Sequence, residues 1–318
     1  MEYRKGFTDI SQFTDNNICD PLVVSDHSEI MLNTKYGIIS SWNISNPNHH
    51  HYFSSWTEAT FARTHMCGDQ NFLDDKINRQ IEYIIDSFDS GKIPIHIIVE
   101  GYHTFFEKLK TKLNFVGSSF LGFNYALIYD ETTEDPQNTV GILINLNEFQ
   151  LIDSYLFKRD YIEEGDRITQ YNPEKRFNNL TIPIVHLKTI DNKILIVGGV
   201  HLRGSNSRNP ITGLSKINEL ISELVKIKNT NNDIEGIVIM GDFNTMPTNS
   251  GKIIKNVKLL LPKFPTHANP NNQVSYYDHT LVIGLPNSYM LSIEYLSKFS
   301  QALINSINRS RVHYLESL

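Results

Sequence analysis

The residues Gly241-Asp242-Phe243-Asn244 stand directly after the apolar run Ile237-Val238-Ile239-Met240. A strand of that composition delivers an aspartate and an asparagine to its C-terminal end, where both side chains can point together once the strand breaks into a loop. The carboxylate can orient a water or bind a metal, and the amide can donate to a phosphate oxygen. Gly, Asp and Asn are also favoured in strand-ending turns, so this element alone does not decide its own role. Other strand ends carry related groups. Ser41-Trp42-Asn43-Ile44 closes an early apolar run with an Asn, and Ile97-Ile98-Val99-Glu100 closes another with a Glu. A carboxylate there is costly to bury without a partner, and a cation is one such partner; a helix starting just after it would also stabilise the charge. Val197-Gly198-Gly199-Val200-His201-Leu202 ends a further run with a His, a residue that is more often structural when it stands alone. Tyr276-Tyr277-Asp278-His279-Thr280-Leu281-Val282 sets an Asp at the head of an apolar run, where a turn or cap carboxylate is the other reading.

These residues need strands to carry them. β-branched runs bounded by Gly, Asn or Asp predict strands at Gly37 to Ile44, Ile95 to Glu100, Tyr125 to Tyr129, Val140 to Leu146, Thr181 to Leu187, Ile194 to His201, Ile234 to Met240 and Tyr276 to Ile283. Ile77, Ile81, Ile84, Ile85 and Phe88 form one helical stripe, and Leu214, Ile217, Leu220, Ile221, Leu224 and Val225 another. Tyr102 to Leu113 and the C-terminal stretch Tyr289 to Ile307 are further helix candidates. Strands with helices among them fit a two-sheet sandwich covered by helices, or an open α/β sheet. The loops at Asn46 to His51 and Pro265 to Gln273 read as connections inside one domain spanning 1–318. The run His49-His50-His51 reads as a solvated loop, since adjacent side chains rarely converge on one ion.

Composition excludes several classes. Of 318 residues, 40% are hydrophobic and 11% aromatic, enough for a sizeable core and unlike a disordered chain. The net charge of −6 is opposite in sign to a basic nucleic-acid binder, although a metal site can supply local positive charge to an acidic protein. Cys19 and Cys67 make no disulfide framework. Met1 to Asp20 is polar and does not read as a secretory signal, which sets the expectation of an intracellular protein. No apolar run is long enough to span a bilayer, so no integral membrane segment is expected. Oligomeric state is not legible.

Taken in order, Trp42-Asn43, Glu100, His201-Leu202, Gly241-Asp242-Phe243-Asn244 and Asp278 resemble the endonuclease/exonuclease/phosphatase superfamily, from about Gly37 to Ile283. The resemblance implies an α+β fold: a four-layer α/β/β/α sandwich of two mainly antiparallel sheets with flanking helices. It departs from the family at Val99, where Gln usually precedes the metal-binding Glu, and at His279, where Tyr is common. The family's final Ser-Asp-His is missing after Ile283; Ser310-Arg311-Val312-His313 lacks the Asp.

An intact Ser25-Asp26-His27 stands near the N-terminus instead, ahead of Ile30-Met31-Leu32. Chance places that tripeptide somewhere in such a chain about one time in twenty. In the family it precedes a closing strand that lies beside the opening strand. Here the polar link Asn33-Thr34-Lys35 leads straight into the opening strand. The expectation is a circular permutation in which residues 1–35 carry the usual last strand and 285–318 form a C-terminal helical segment; permutation is tolerated where termini lie close together.

The resemblance implies in-line attack of water on phosphorus. Glu100 would ligate Mg²⁺ or Mn²⁺, with Asn43 on the metal or a phosphate oxygen and Asp26 at a second metal position or on a metal-bound water. Asp242 would orient and deprotonate the water, Asn244 would hold it or the phosphate, and His201 and His27 would donate to non-bridging oxygens. Asp278 would hydrogen-bond His27. Arg176 and His279 are candidates for touching substrate. Gly241-Asp242-Phe243-Asn244 followed by Thr245-Met246-Pro247 looks closest to the nuclease and deadenylase branches, so DNA or RNA is the leading substrate class. A sphingomyelinase-like or other small phosphoesterase, and a scaffold without turnover, are the alternatives.

Overall fold

The computed structural model describes residues 27, 29–44, 70–89, 91–101, 103–119, 124–131, 140–161, 178–202, 211–262, 266–268 and 274–291. One sheet holds β1 (Ile30–Thr34), β2 (Gly37–Asn43), β3 (Ile95–Val99), β4 (Tyr125–Tyr129), β5 (Val140–Asn145) and β14 (Tyr289–Met290), in the order β14-β1-β2-β3-β5-β4. The other holds β6 (Gln150–Tyr161), β7 (Asn178–Lys188), β8 (Ile194–His201), β9 (Ile234–Asp242), β10 (Lys258–Leu260) and β13 (Asp278–Ile283), in the order β10-β13-β9-β8-β7-β6. A two-stranded ribbon, β11 (His267–Ala268) with β12 (Val274–Ser275), stands apart. Each large sheet has one parallel pair near its middle, β2 with β3 and β8 with β9. All other neighbours are antiparallel.

Period-two patterning sorts the strands into layers. On β9, Val238 and Met240 enter the core between the sheets, while Ile237 and Ile239 face outward. On β3, Ile95, Ile97 and Val99 go inward and Ile98 outward. The outer face of the first sheet is covered by α1 (Gln70–Asp89), through Ile77, Ile81, Ile84, Ile85 and Phe88, and by α2 (His103–Ser119). The outer face of the second is covered by α3 (Ile211–Thr230), through Leu214, Ile217, Leu220, Ile221 and Leu224, with α4 (Pro247–Ile253) beside it. Each side chain so buried is worth about 2 kcal/mol. The result is the α/β/β/α sandwich with mainly antiparallel sheets, not the open sheet. Among the described residues no helix is long and apolar enough to cross a membrane.

Some expectations shift. β1 runs on through Thr34, so the turn is Lys35–Tyr36 rather than the expected link from Asn33 to Lys35. Thr34 Oγ1 donates to Gly37 O and accepts from Tyr36 N, and Gly37 takes φ +105°, a conformation that suits a residue without Cβ. The helical segment expected from 285 onward does not begin as a helix. Tyr289 and Met290 pair with Asn33 and Leu32 as β14, because Met290 can pack against the inter-sheet core from there. Residues after Leu291 lie outside the described residues.

Candidate active site

Parallel strands need crossovers, and those crossovers leave the C-terminal ends of each pair side by side. In the first sheet that end presents Asn43, the last residue of β2, and Glu100, just past β3. In the second it presents His201 and Asp242, the last residues of β8 and β9, in register with one another. β13 runs antiparallel to β9 and begins with Asp278 opposite Asp242. β1 runs antiparallel to β2, so His27, ahead of β1, reaches the same end.

The side chains meet there. Asn43 Nδ2 bridges the sheets, donating to Glu100 Oε1 and to Asp242 Oδ2, each at 3.0 Å. Asn244, at φ +47°, donates its backbone N–H to Asp242 Oδ1 at 2.7 Å and its amide to Asp242 Oδ2 at 3.2 Å and Leu202 O at 2.6 Å. His27 Nδ1 donates to Asp278 Oδ2 at 2.9 Å, and its Nε2 lies 3.8 Å from Asp242 Oδ2. His201 Nε2 is 3.3 Å from Glu100 Oε1. Glu100 is partly open at 19%, and its φ of +59° is one that a residue with a side chain adopts at some cost. Gly241 at φ +150° lets β9 close on β8, since a Cβ there would overlap the Val200 carbonyl.

Asp242 is 1% exposed, and its carboxyl is pushed up to about 6. Burial is the main cause, opposed by His27 and reinforced by the charge of Asp278. Asp278 is fully buried; its backbone N–H donates to Thr266 Oγ1, while its Oδ1 has no hydrogen-bond partner among the described residues. The architecture and this convergence settle the fold.

It is a four-layer α/β/β/α sandwich, the architecture that the resemblance to the endonuclease/exonuclease/phosphatase superfamily implied.

No protein-family model and no curated protein matches the chain. Solved structures of that fold do. A humanized D. rerio TDP2 is 11% identical, with a TM-score of 0.47, over 83% of this chain and 86% of that one. An endonuclease/exonuclease/phosphatase family protein from Bacteroides thetaiotaomicron is 14% identical, at 0.47, over 66% and 75%. The human Nocturnin catalytic domain with bound sulfate is 15% identical, at 0.41, over 64% and 74%.

Of the residues singled out from the sequence, His27, Asn43, Glu100, His201, Asp242, Asn244 and Asp278 lie together. Asp26 and Arg176 fall outside the described residues. His279 is a correction: it does not reach substrate. It is fully buried, Nε2 donates to Tyr276 O at 2.7 Å, and that fixes Nδ1 as the acceptor from Ser250 Oγ at 3.0 Å. Its ring stacks on Phe243 with centroids 5.0 Å apart. Burial holds it neutral, with its pKa lowered to about 4. It thus ties α4 and the Gly241–Asn244 turn to β13. Thr266 and Ser250 were not singled out, and no motif marks them.

The donor set fits a divalent cation. Glu100, His201 and Asp242 each offer one ligand atom within 4.8 Å of the others, and His27, Asp242 and Asp278 form a second such group. Burial and the neighbouring Asp278 raise the cost of ionising Asp242, and a cation relieves that cost. Asn43 presents its nitrogen to the carboxylates here, so its oxygen could face a cation only after a flip of the amide.

Proposed function

We propose that this chain is a divalent-metal-dependent phosphoester hydrolase acting on a phosphodiester of DNA or RNA. The observation that carries this reading is the meeting of Glu100, Asp242, His201, His27 and Asp278 at one end of the paired sheets, around a buried carboxylate whose pKa is near 6. Glu100 would hold Mg²⁺ or Mn²⁺, with Asp242 and His201 close enough to act on what the ion binds. A bound ion of that kind neutralises charge on the phosphoryl oxygens and the leaving group. Asp242 orients a water and accepts its proton, a task suited by a carboxyl raised toward neutrality. Asn43 and Asn244 fix that carboxylate from both sides. His27 and His201 donate to non-bridging oxygens, and Asp278 keeps the His27 ring aimed with Nδ1–H toward itself and Nε2 toward the site.

The reading includes the permutation. Ser25-Asp26-His27 supplies the histidine that the family draws from its C-terminal end, and β1 lies beside β2 where a closing strand belongs. The nucleic-acid assignment leans on Gly241-Asp242-Phe243-Asn244 with Thr245-Met246-Pro247.

The test is a panel of bis-p-nitrophenyl phosphate, single-stranded DNA, single-stranded RNA and sphingomyelin, with Mg²⁺, with Mn²⁺ and in EDTA. Cleavage of DNA or RNA that EDTA abolishes and either metal restores is expected. Cleavage of sphingomyelin alone would replace the substrate class. No turnover on any member, with metal bound, would make the chain a scaffold.

A further inference from the structure

We propose that Tyr83 and Trp42 are positioning residues for His27, bracing from α1 and β2 the segment that aims its imidazole at Asp278; this rests on His27 being a site group, as read above. His27 stands ahead of β1, whose pairing with β2 starts at Ile30 and Ser41. Two contacts hold His27 and Glu29, and a third joins the two side chains that make them. The Trp42 indole Nε1 donates to the His27 carbonyl at 3.2 Å in a buried setting. The Tyr83 hydroxyl donates to the carboxylate of Glu29, which is 2% exposed. The two rings support one another edge to face, with centroids 5.3 Å apart at 74°.

Glu29 acts as a post driven between sheet and helix. Its other oxygen lies 3.6 Å from His96 Nδ1, and His96 is itself held by Ser40 Oγ at 2.8 Å and Ser87 Oγ at 3.2 Å. A buried carboxyl group needs such a donor: Glu29 Oε1 has no hydrogen-bond partner among the described residues, which leaves the Tyr83 hydroxyl to satisfy the group. Strand alternation explains how one element serves both faces. Trp42 lies in the core beneath α1, while its neighbour Asn43 faces the carboxylates. α1 fixes the end of β2 as well, through Gln80 Nε2 to Ile44 O. The helix therefore bears on the position of His27 through Glu29 and Trp42.

The test is a double-mutant cycle with a spectroscopic arm on the full chain. Tyr83→Phe and Trp42→Phe are each made in the native and the His27→Ala backgrounds, and the downfield Nδ1 proton of His27 is followed by NMR. Each variant is expected to lower kcat about tenfold with KM within about twofold, since small misplacements of an aligned group carry costs of that order. In the His27→Ala background the same substitutions should cost nothing further. The Nδ1 proton resonance should shift or broaden in both variants. Equal losses in both backgrounds, or an unchanged resonance, overturn the proposal. If Trp42→Phe fails to fold, Tyr83→Phe, which removes one hydroxyl, carries the test. Should no substrate on the panel be cleaved, the resonance still decides this proposal, so its failure and that of the hydrolase reading are told apart.

Discussion

Carboxylates gather at both ends of the sandwich, and they are balanced by different means. Away from the site, the β1–β2 turn reaches across to the other sheet. Lys35 Nζ lies 2.5 Å from Glu235 Oε1 and 3.5 Å from Asp191 Oδ2, and the Tyr36 hydroxyl donates to both acids. Thr189 Oγ1 is the main group holding the Asp191 carboxyl below its ordinary value, and Glu235 is the main group holding the Lys35 ammonium above its own. This network is largely open to solvent and carries its own positive charge. At the other end, Asp242 and Asp278 are buried and, among the described residues, their carboxylates are met by amides and imidazoles. One cluster is built around a lysine and fastens the sheets. The other keeps its acids in a dry place, which fits a site that takes its cation from solution. The contrast separates a structural network from the proposed site better than a count of acidic residues could.

The sharpest way to break this comparison is Asp242→Asn. Turnover should fall by about a thousandfold or more, while the thermal midpoint holds or rises, because the amide keeps the shape and removes a buried charge. A variant within tenfold of native turnover would reduce the site end to another structural cluster.

Next in size is the effect of acid on the buried floor beneath the site. His279 is held at about 4 in the folded chain against 6.5 when unfolded. Between those values the unfolded chain binds a proton that the native state refuses. The His279 contribution is therefore complete above pH 6.5, declines as pH falls, and is lost by about pH 4, for a total near 3 kcal/mol in order of magnitude. Urea titrations across that window should show His279→Gln with a shallower acid loss than the native chain. Parallel pH profiles would mean the imidazole is not held neutral.

Smallest is Lys35→Ala at the far end. It should leave turnover at the native rate and move the thermal midpoint by about 2 °C or less, since exposed pairs gain little against solvent screening. A marked fall in turnover, measured at saturating metal, would mean that the two ends are coupled through the sheets.

The sequence made most of the site legible because each group ends or begins an apolar run. Asp242 follows the buried apolar run Ile237 to Met240 and Gly241, and Asn43, Glu100 and His201 mark similar breaks. His27 was visible only through its tripeptide. β6 was not visible: Asp153, Ser154, Lys158, Arg159 and Asp160 interrupt its apolar residues, and a register shift between Leu151 and Asp153 spoils the alternation that marks a strand. α4 was also hidden, being short, opened by Pro247 and lacking a side-chain cap. The role of His279 could not be read because neutrality comes from burial, and its partners Tyr276 and Ser250 are ordinary residues until the fold brings α4 against β13. Tyr83 lies just off the helical stripe, and nothing in its neighbours announces a carboxylate 54 positions away.

β14 has a consequence for how the molecule is made. Its pairing closes β1 between two neighbours, and the His27 ring finds its acidic partner 251 positions along the chain. A ribosome delivers the histidine 251 positions ahead of Asp278, at some 5–20 residues per second. The early strand must wait for those residues before either its far ladder or the His27–Asp278 contact can form. Contacts of such separation are slow to close, so the first strand is locked in place only when the returning chain pairs with it.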